Sequence, residues 1–241
     1  ADEWLPQIVA DGASAWIAYV ANDAENERIR VARTTDGTTF TIADADAKKP
    51  TFPAPNTRNN QWSPALARTP TGDLVAAWVD FRDYQWDLYG SRSTDGGVTF
   101  AEAARLPADT DTARERLLAD PVLIALADGS VRQAWTDVRK RLAKAVAAMT
   151  GPAGEIVLPG ASDGSQYRPT LAVVAGSVVV AWQDFGTRRN RIVLGKDSVV
   201  DDSGDGVQCF RPRIAEAGGK ALIVWEDTRS GRRQLRFALE P

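Results

Sequence analysis

The feature of this chain that most constrains its fold is an internal repeat. Five segments begin with a proline that is followed two positions later by an aliphatic residue, and each then carries an apolar run. The run ends at an aromatic residue 13 or 14 positions after the proline. The five pairs are Pro6 and Tyr19, Pro64 and Trp78, Pro121 and Trp135, Pro169 and Trp182, and Pro212 and Trp225. Such self-similarity is typical of repeat architectures, so the chain is interpreted as copies of one unit.

The segment 63–100 shows this unit most completely. It contains an apolar run after the proline, a second run that ends at Trp78, and an alternating stretch at 87–92 before a glycine-bearing turn. Alternation and turn residues of this kind are typical of antiparallel strands joined by short loops. The unit is therefore predicted to be a β-meander.

One segment carries a local signal that conflicts with the repeat. The stretch Arg139 to Met149 is rich in Ala, Lys, Arg and Leu, which favour a helix. It aligns with the loop and third strand of the unit, and strand pairing commonly overrides a weak intrinsic preference. We therefore predict a strand at Ala145 to Met149.

A single meander cannot bury both of its faces, and radial repetition solves this by packing each sheet against its neighbours. Successive prolines lie 58, 57, 48 and 43 residues apart, close to the roughly 40–50 residues of a four-stranded propeller blade. The prediction is an all-β fold, a five-bladed β-propeller whose last blade lacks its outer strand. Residues 1–241 are expected to form a single domain, with blades starting near Pro6, Pro64, Pro121, Pro169 and Pro212.

Composition limits the partners of the chain. The net charge of −3 and the pI of about 5.2 disfavour nucleic acid or an anionic membrane as the main partner. No apolar run approaches the roughly 20 residues of a membrane span. The chain has no histidine and one cysteine, Cys209, so the commonest general base is absent and an internal disulfide is excluded.

The turn after the third strand of the second segment carries a known motif. Ser93-Thr94-Asp95-Gly96-Gly97-Val98-Thr99-Phe100 is similar to the Asp-box, or BNR repeat, of sialidase-like β-propellers, and Thr34 to Phe40 resembles a degenerate copy. The resemblance implies that Asp95 and Asp36 are scaffold residues in turns that lie away from the ligand face. The run Trp78-Val79-Asp80-Phe81-Arg82 and its copies also resemble those of secreted bacterial Asp-box proteins, so a secreted, cell-surface or periplasmic location is expected.

The repeat register places polar and aromatic residues together on the opposite face. Aspartates follow the aromatic residue by two positions in four segments, with an arginine nearby, and an aromatic residue lies two positions before the proline in four segments. Aromatic rings cover the apolar face of a sugar, while Asp and Arg hydrogen-bond its polar groups. Inter-blade salt bridges and buried plugs are the alternative structural roles. The candidate ligand residues are Trp4, Trp62, Tyr167 and Phe210; Asp80, Arg82, Asp137, Arg139, Asp184, Arg188, Asp227 and Arg229; and Arg168 and Arg211.

These features favour a non-catalytic, lectin-like carbohydrate-binding propeller whose partner is a glycan or glycoconjugate. The alternatives are a sialidase-like glycoside hydrolase and a scaffold for protein partners. Sialidase-like enzymes usually carry an Arg-Ile/Leu-Pro motif, and this chain has none, since Leu5 precedes the first proline and Arg168 and Arg211 directly precede theirs. No carboxylate stands out as a unique catalytic acid, so an enzyme is the less favoured interpretation and no catalytic residue is predicted.

One stretch offers oxygen ligands at alternating positions. Asp201, Ser203 and Asp205, followed by Gly206, resemble the start of a Ca²⁺ loop, although Pro212 occupies the position of the usual bidentate Glu. A solvated acidic turn is the alternative. No cofactor other than this candidate Ca²⁺ is predicted.

Overall fold

The computed structural model describes most of the chain. It covers residues 3–22, 27–48, 61–82, 85–106, 117–139, 142–149, 155–157, 164–186, 189–195, 198–201, 204 and 206–240, with backbone only at 3, 4, 139, 142–149 and 155–157. All of its described regular elements are β-strands, as the repeat predicts. In chain order they are β1 (Glu3–Asp11), β2 (Ser14–Asn22), β3 (Glu27–Thr34), β4 (Thr41–Asp44), β5 (Gln61–Arg68), β6 (Leu74–Asp80), β7 (Asp87–Ser93), β8 (Ala104–Leu106), β9 (Leu117–Ala125), β10 (Val131–Arg139), β11 (Leu142–Met149), β12 (Glu155–Val157), β13 (Ser165–Val174), β14 (Ser177–Phe185), β15 (Arg191–Leu194), β16 (Ser198–Val199), β17 (Cys209–Ala217), β18 (Lys220–Asp227) and β19 (Gln234–Glu240).

The strands form sheets in which sequence neighbours are also spatial neighbours. The four-stranded sheets have the orders β1-β2-β3-β4, β5-β6-β7-β8, β12-β11-β10-β9 and β13-β14-β15-β16. The last repeat forms the three-stranded sheet β17-β18-β19. Pairing is antiparallel in the sheets whose registers are described. These are the meanders that the repeat predicts.

The prediction is five blades with the last one incomplete, and the structure has four complete blades. The described residues form four complete four-stranded blades rather than five, because the fifth repeat contributes three strands only. The structure also divides into two compact units, Ala1–Arg132 and Gln133–Pro241, with the boundary inside β10.

The strand predicted against helix propensity is confirmed. Residues 142–149 form β11, which pairs with β12 through Val146, Ala147 and Ala148. Backbone pairing within a sheet has overridden the preference of Ala, Lys and Leu for a helix. No helix among the described residues is long and apolar enough to cross a membrane.

The repeated aromatic residue is buried in the second strand of every sheet. Trp78, Trp135 and Trp182 are completely inaccessible, and Tyr19 and Trp225 are nearly so. In the first unit, Trp78 packs in a core that includes Trp16, Leu74 and Tyr89. In the second unit, Trp225 packs with Ile192 and Ile223. The repeated aromatic side chains therefore belong to the buried core.

The turn at Asp95 is held by its own side chains. Asp95 Oδ1 accepts hydrogen bonds from the backbone N–H groups of Val98 and Thr99, each at 3.0 Å, and Oδ2 accepts one from Thr99 Oγ1 at 2.6 Å. The Thr99 and Ser93 hydrogen bonds lower the pKa of Asp95 well below its usual range. Asp36 accepts the N–H groups of Thr38 and Thr39 in the same manner, which also lowers its pKa.

Candidate functional site

A strained backbone position recurs before the proline of every repeat. The five residues that precede these prolines all have positive φ although none is glycine: Leu5 (55°), Ser63 (53°), Asp120 (51°), Arg168 (51°) and Arg211 (53°). Such conformations are costly for residues with a Cβ and cluster at functional sites. We call these five positions the bulge residues.

The strand pairing is interrupted at the same positions. The register shifts between Trp4 and Gln7 in β1, and between Trp62 and Ala65 in β5. Corresponding shifts follow Tyr167 in β13 and Phe210 in β17. Proline has no N–H to donate to the ladder, and a β-bulge accommodates it while changing the direction of nearby side chains. The bulge therefore sets the direction of the aromatic residue that precedes it.

In the second unit, side chains of a neighbouring sheet hold the bulges. The backbone N–H of Arg168 donates to Thr136 Oγ1 at 3.0 Å, and that of Arg211 donates to Gln183 Oε1 at 3.3 Å. Thr136 and Gln183 each follow the repeated tryptophan directly. The repeat thus fixes both partners of each hydrogen bond.

The four repeated aspartates that the sequence predicts as ligand residues are buried. Asp80, Asp137, Asp184 and Asp227 are each at most 1% exposed. Asp80 Oδ2 accepts hydrogen bonds from Gln61 Nε2 and Trp78 Nε1, each at 2.9 Å. In the described structure these carboxylates face the protein interior, so their geometry suits support of the loops rather than direct contact with a ligand.

The same carboxylates shape the loops that follow the second strands. Oδ1 of Asp80, Asp184 and Asp227 accepts the N–H of the residue two positions later, at 2.8, 3.0 and 2.8 Å. Aspartates commonly form such turns with their own backbone. Burial opposes the ionised form of Asp227, but hydrogen bonds from Arg229 outweigh it and lower the pKa of Asp227.

Arg82 is also committed to contacts within the protein. Its Nη2 lies 2.6 Å from Asp80 Oδ2 and 2.9 Å from Asp46 Oδ2, and its guanidinium lies 3.9 Å from the ring centroid of Tyr89. Burial opposes its charge, yet the hydrogen bonds and charges of Asp80 and Asp46 raise its pKa. Arg82 therefore links β6 to the segment that follows β4.

An exposed aromatic surface lies beside the second bulge. The rings of Trp62 and Trp86 are stacked with centroids 4.9 Å apart and an interplanar angle of 29°, and Phe81 lies 4.5 Å from Trp86. Trp62 is 42% exposed. We call Trp62, Trp86 and Phe81 the Trp62 platform. The sequence predicts Trp62 as a ligand residue but does not predict Trp86 or Phe81. The one feature of the sequence that could have indicated these two residues is their position in the loop after Asp80.

The backbone of β9 fixes Trp86 in place. Trp86 forms an isolated parallel bridge with Leu117, and its carbonyl oxygen accepts the N–H of Leu118 at 2.8 Å. Leu118 is buried at the start of β9. The platform is therefore supported by strands from two successive sheets.

A cavity of about 260 Å³ opens beside this platform, entirely within the first unit. It brings together three of the five bulge residues, which come from three successive repeats. Its lining consists of Leu5, Trp62, Ser63, Val79, Trp86, Leu117, Leu118, Ala119 and Asp120. The repeat thus builds one concave site from equivalent positions of neighbouring sheets.

The second unit holds a different cluster around Phe210. The guanidinium of Arg233 lies 5.2 Å from the ring centroid of Phe210, and Glu226 accepts hydrogen bonds from Arg211 at 2.9 Å and Arg233 at 3.0 Å. The hydrogen bond from Arg211 is the main cause of the lowered pKa of Glu226.

Two other predicted ligand residues of the second unit, Tyr167 and Arg168, are half-buried.

Several candidates lie outside the described residues. Arg188, Ser203 and Asp205 are not described, and neither are the side chains of Trp4 and Arg139.

The remaining member of the candidate Ca²⁺ loop, Asp201, is buried and paired within the protein. Its Oδ1 accepts from Arg189 Nη1 at 3.2 Å and its Oδ2 accepts the N–H of Ile192 at 2.8 Å. No group of three or more acidic, histidine or cysteine side chains among the described residues is placed to hold a metal ion.

Comparisons by sequence find no matching family model and no matching curated protein. Comparisons of structure do find matches. The Hadza microbial sialidase Hz136 has a TM-score of 0.61 and 16% identity over 93% of this chain, which spans 53% of that sialidase. The Bacillus subtilis arabinanase Arb43A has a TM-score of 0.52 and 16% identity, covering 97% of this chain and 92% of its own.

A Penicillium chrysogenum α-L-arabinanase complexed with arabinobiose is also similar, with a TM-score of 0.52 and 19% identity over 74% of this chain and 61% of that one. At these identities the likeness concerns the fold alone. The chain has the all-β propeller fold that its repeat predicts.

Proposed function

We propose that this protein is a non-catalytic, carbohydrate-binding propeller protein and that it binds a sugar at the Trp62 platform. The observation that carries the proposal is the stacking of the solvent-exposed Trp62 on the half-buried Trp86, beside a cavity of about 260 Å³. A tryptophan face covers the C–H face of a sugar ring with little loss of side-chain entropy. The structural neighbours support a carbohydrate-related function, since their names are those of a sialidase and arabinanases.

The carboxylates around the cavity support binding over hydrolysis. Most glycoside hydrolases need two carboxyl groups, about 5–9.5 Å apart, on either side of the scissile bond. Among the described residues that line the cavity, Asp120 is the only carboxylate. Asp80, the nearest repeat aspartate in sequence to the platform, is buried and hydrogen-bonded on both of its oxygens.

The hydrogen bonds of Asp95 and Asp36 support the assignment of their turns to the Asp-box type. This assignment gives both residues a scaffold role and leaves ligand binding to the platform. Asp95→Asn is accordingly expected to reduce stability without changing the affinity for a sugar.

Glycan-array screening followed by calorimetry tests the proposal. Trp62→Ala is expected to weaken binding of the best array ligand by about tenfold or more, as is usual for a central aromatic contact. The matched control is Phe40→Ala, which removes another exposed aromatic ring in the same unit, at 46% exposure, that does not line the cavity. Absence of any binding at millimolar saccharide, or equal loss in both variants, would contradict the proposal.

A further inference from the structure

The cavity beside the Trp62 platform is lined mainly by carbon. Leu5, Val79, Leu117, Leu118 and Ala119 contribute aliphatic side chains. Apart from the two indole N–H groups, Ser63 and Asp120 are the lining residues whose side chains carry polar atoms. Both are bulge residues at equivalent positions of successive repeats, whereas the third bulge residue in the lining, Leu5, is apolar.

Such a lining discriminates between sugars. Most monosaccharides carry a hydroxyl on nearly every carbon, and a hydroxyl that leaves water without a new partner loses its hydrogen bonds. Val79 is 2% exposed and Leu118 is 1% exposed, so both belong to the buried wall of the cavity. A group held against this wall gains from burial only if it is apolar.

The size of the cavity also limits its ligand. Its volume of about 260 Å³ lies just below the roughly 300–1,000 Å³ of pockets that hold drug-sized molecules. It therefore suits part of one sugar ring and one small substituent rather than several residues of a chain. A methyl group fits such a wall without needing a hydrogen-bond partner.

From these observations we propose that the sugar bound at the platform is a 6-deoxyhexose. Its ring lies on Trp62, its methyl group enters the cavity against Val79 and Leu118, and its ring hydroxyls face Ser63 and Asp120. An acetamido group would bring a buried N–H and C=O that need partners, whereas the methyl group of a 6-deoxyhexose needs none. This inference rests on the function proposed above.

Matched sugar pairs test it by calorimetry. The methyl glycosides of L-fucose and L-galactose, of L-rhamnose and L-mannose, and of D-quinovose and D-glucose each differ by one oxygen at C6. The 6-deoxy member of at least one pair is expected to bind roughly 10- to 100-fold more tightly than its partner, the range typical of an apolar pocket rejecting an added hydroxyl.

Two isosteric variants test whether the cavity wall causes the preference for the 6-deoxy sugar. Val79→Thr places a hydroxyl on the cavity wall and is expected to reduce the affinity ratio within the pair by about fivefold or more. Val75→Thr makes the same change in the same strand away from the cavity and should leave the ratio unchanged. Thermal unfolding of both variants shows that each is folded before binding is measured.

The outcomes separate the two proposals. If the members of every pair bind with equal affinity, or if the array finds only sugars without a 6-deoxy group, the deoxyhexose assignment is wrong while carbohydrate binding stands. A preference that Val79→Thr does not alter would also overturn the assignment. If no saccharide binds at all, the proposed function itself fails.

Discussion

Asp80 shows how much of the repeat depends on a single residue. It accepts hydrogen bonds from Gln61 of β5, from Trp78 of β6 and from the backbone of Arg82, and it pairs with the Arg82 guanidinium. Removing one member of such a buried set leaves the others without compensation. The residue therefore joins two strands and the loop that carries Phe81.

Asp80→Asn tests this role through stability. We expect the substitution to lower the free energy of unfolding by about 3 kcal/mol, because the half-buried Arg82 loses one of the two carboxylate partners of its guanidinium and the buried Trp78 and Gln61 lose their charged acceptor. Urea unfolding measures the change. The control is Asp73→Asn, which removes the partner of the half-exposed Arg92 and should cost less than about 1 kcal/mol. Equal losses in the two variants would contradict the assignment.

The two turn aspartates predict a dependence of stability on pH. The pKa of Asp36 and that of Asp95 are lowered from 3.8 in the folded protein. Each therefore contributes stability that is complete above the unfolded pKa and is lost as the pH falls through that value toward the lowered folded pKa. Urea midpoints between pH 6 and pH 2 should fall less steeply below pH 4 in Asp95→Asn and Asp36→Asn than in the parent. Parallel curves would show that the turns do not hold these carboxylates ionised.

At the scale of one element, the Asp95 turn fits closely against the first sheet. Trp16 Nε1 donates to the carbonyl oxygen of Gly96 at 2.8 Å. A Cβ on Gly97 would lie 2.8 Å from Leu74 Cδ1 and 2.9 Å from Trp16 Cδ1, and its φ is +90°. Gly97 therefore meets both a conformational and a packing requirement.

Substitutions at Gly96 and Gly97 test the conformational requirement and the packing requirement separately. Gly96 has a φ of +71°, but a Cβ there would meet no atom within 4 Å. Gly96→Ala should cost about 1 kcal/mol for backbone strain alone. Gly97→Ala adds the overlap with Leu74 and Trp16 and should cost about 3 kcal/mol in total. Denaturant unfolding of both variants checks this, and equal costs would mean that the turn moves freely away from the core.

The sequence predicts the positions of the strands better than it predicts which side chains reach the surface. The spacing of proline and tryptophan predicts the strands and even β11, because every copy of the repeat must bury its aromatic residue in the same place. The repeat cannot tell whether Asp80 faces a ligand or the interior, since both arrangements give the same spacing. Trp86 could not be predicted because its position depends on pairing with Leu117 in the next sheet.

At the scale of the whole molecule, the three-stranded sheet leaves an apolar strand exposed. Leu235, Phe237 and Leu239 of β19 are 75%, 73% and 50% exposed, and alternation places them on one face of the sheet. In the four complete blades the corresponding third strand is paired with an outer strand. An exposed apolar edge strand is prone to association.

Phe237→Lys tests this consequence. We expect the variant to show less concentration-dependent association in sedimentation velocity, because a lysine on an edge opposes strand pairing between molecules. Its melting temperature should stay within a few degrees of the parent because the side chain is already exposed. Phe185→Lys, at another exposed phenylalanine of 43% exposure outside β19, should leave association unchanged. Association that persists in Phe237→Lys would mean that another surface is responsible.

A crystal structure of the protein soaked with methyl α-L-fucoside and related monosaccharides is the most direct test of carbohydrate binding at the platform. We expect sugar density stacked on Trp62, within contact distance of Val79 and Leu118. Sugar density found elsewhere, with the platform left empty, would contradict carbohydrate binding at this site.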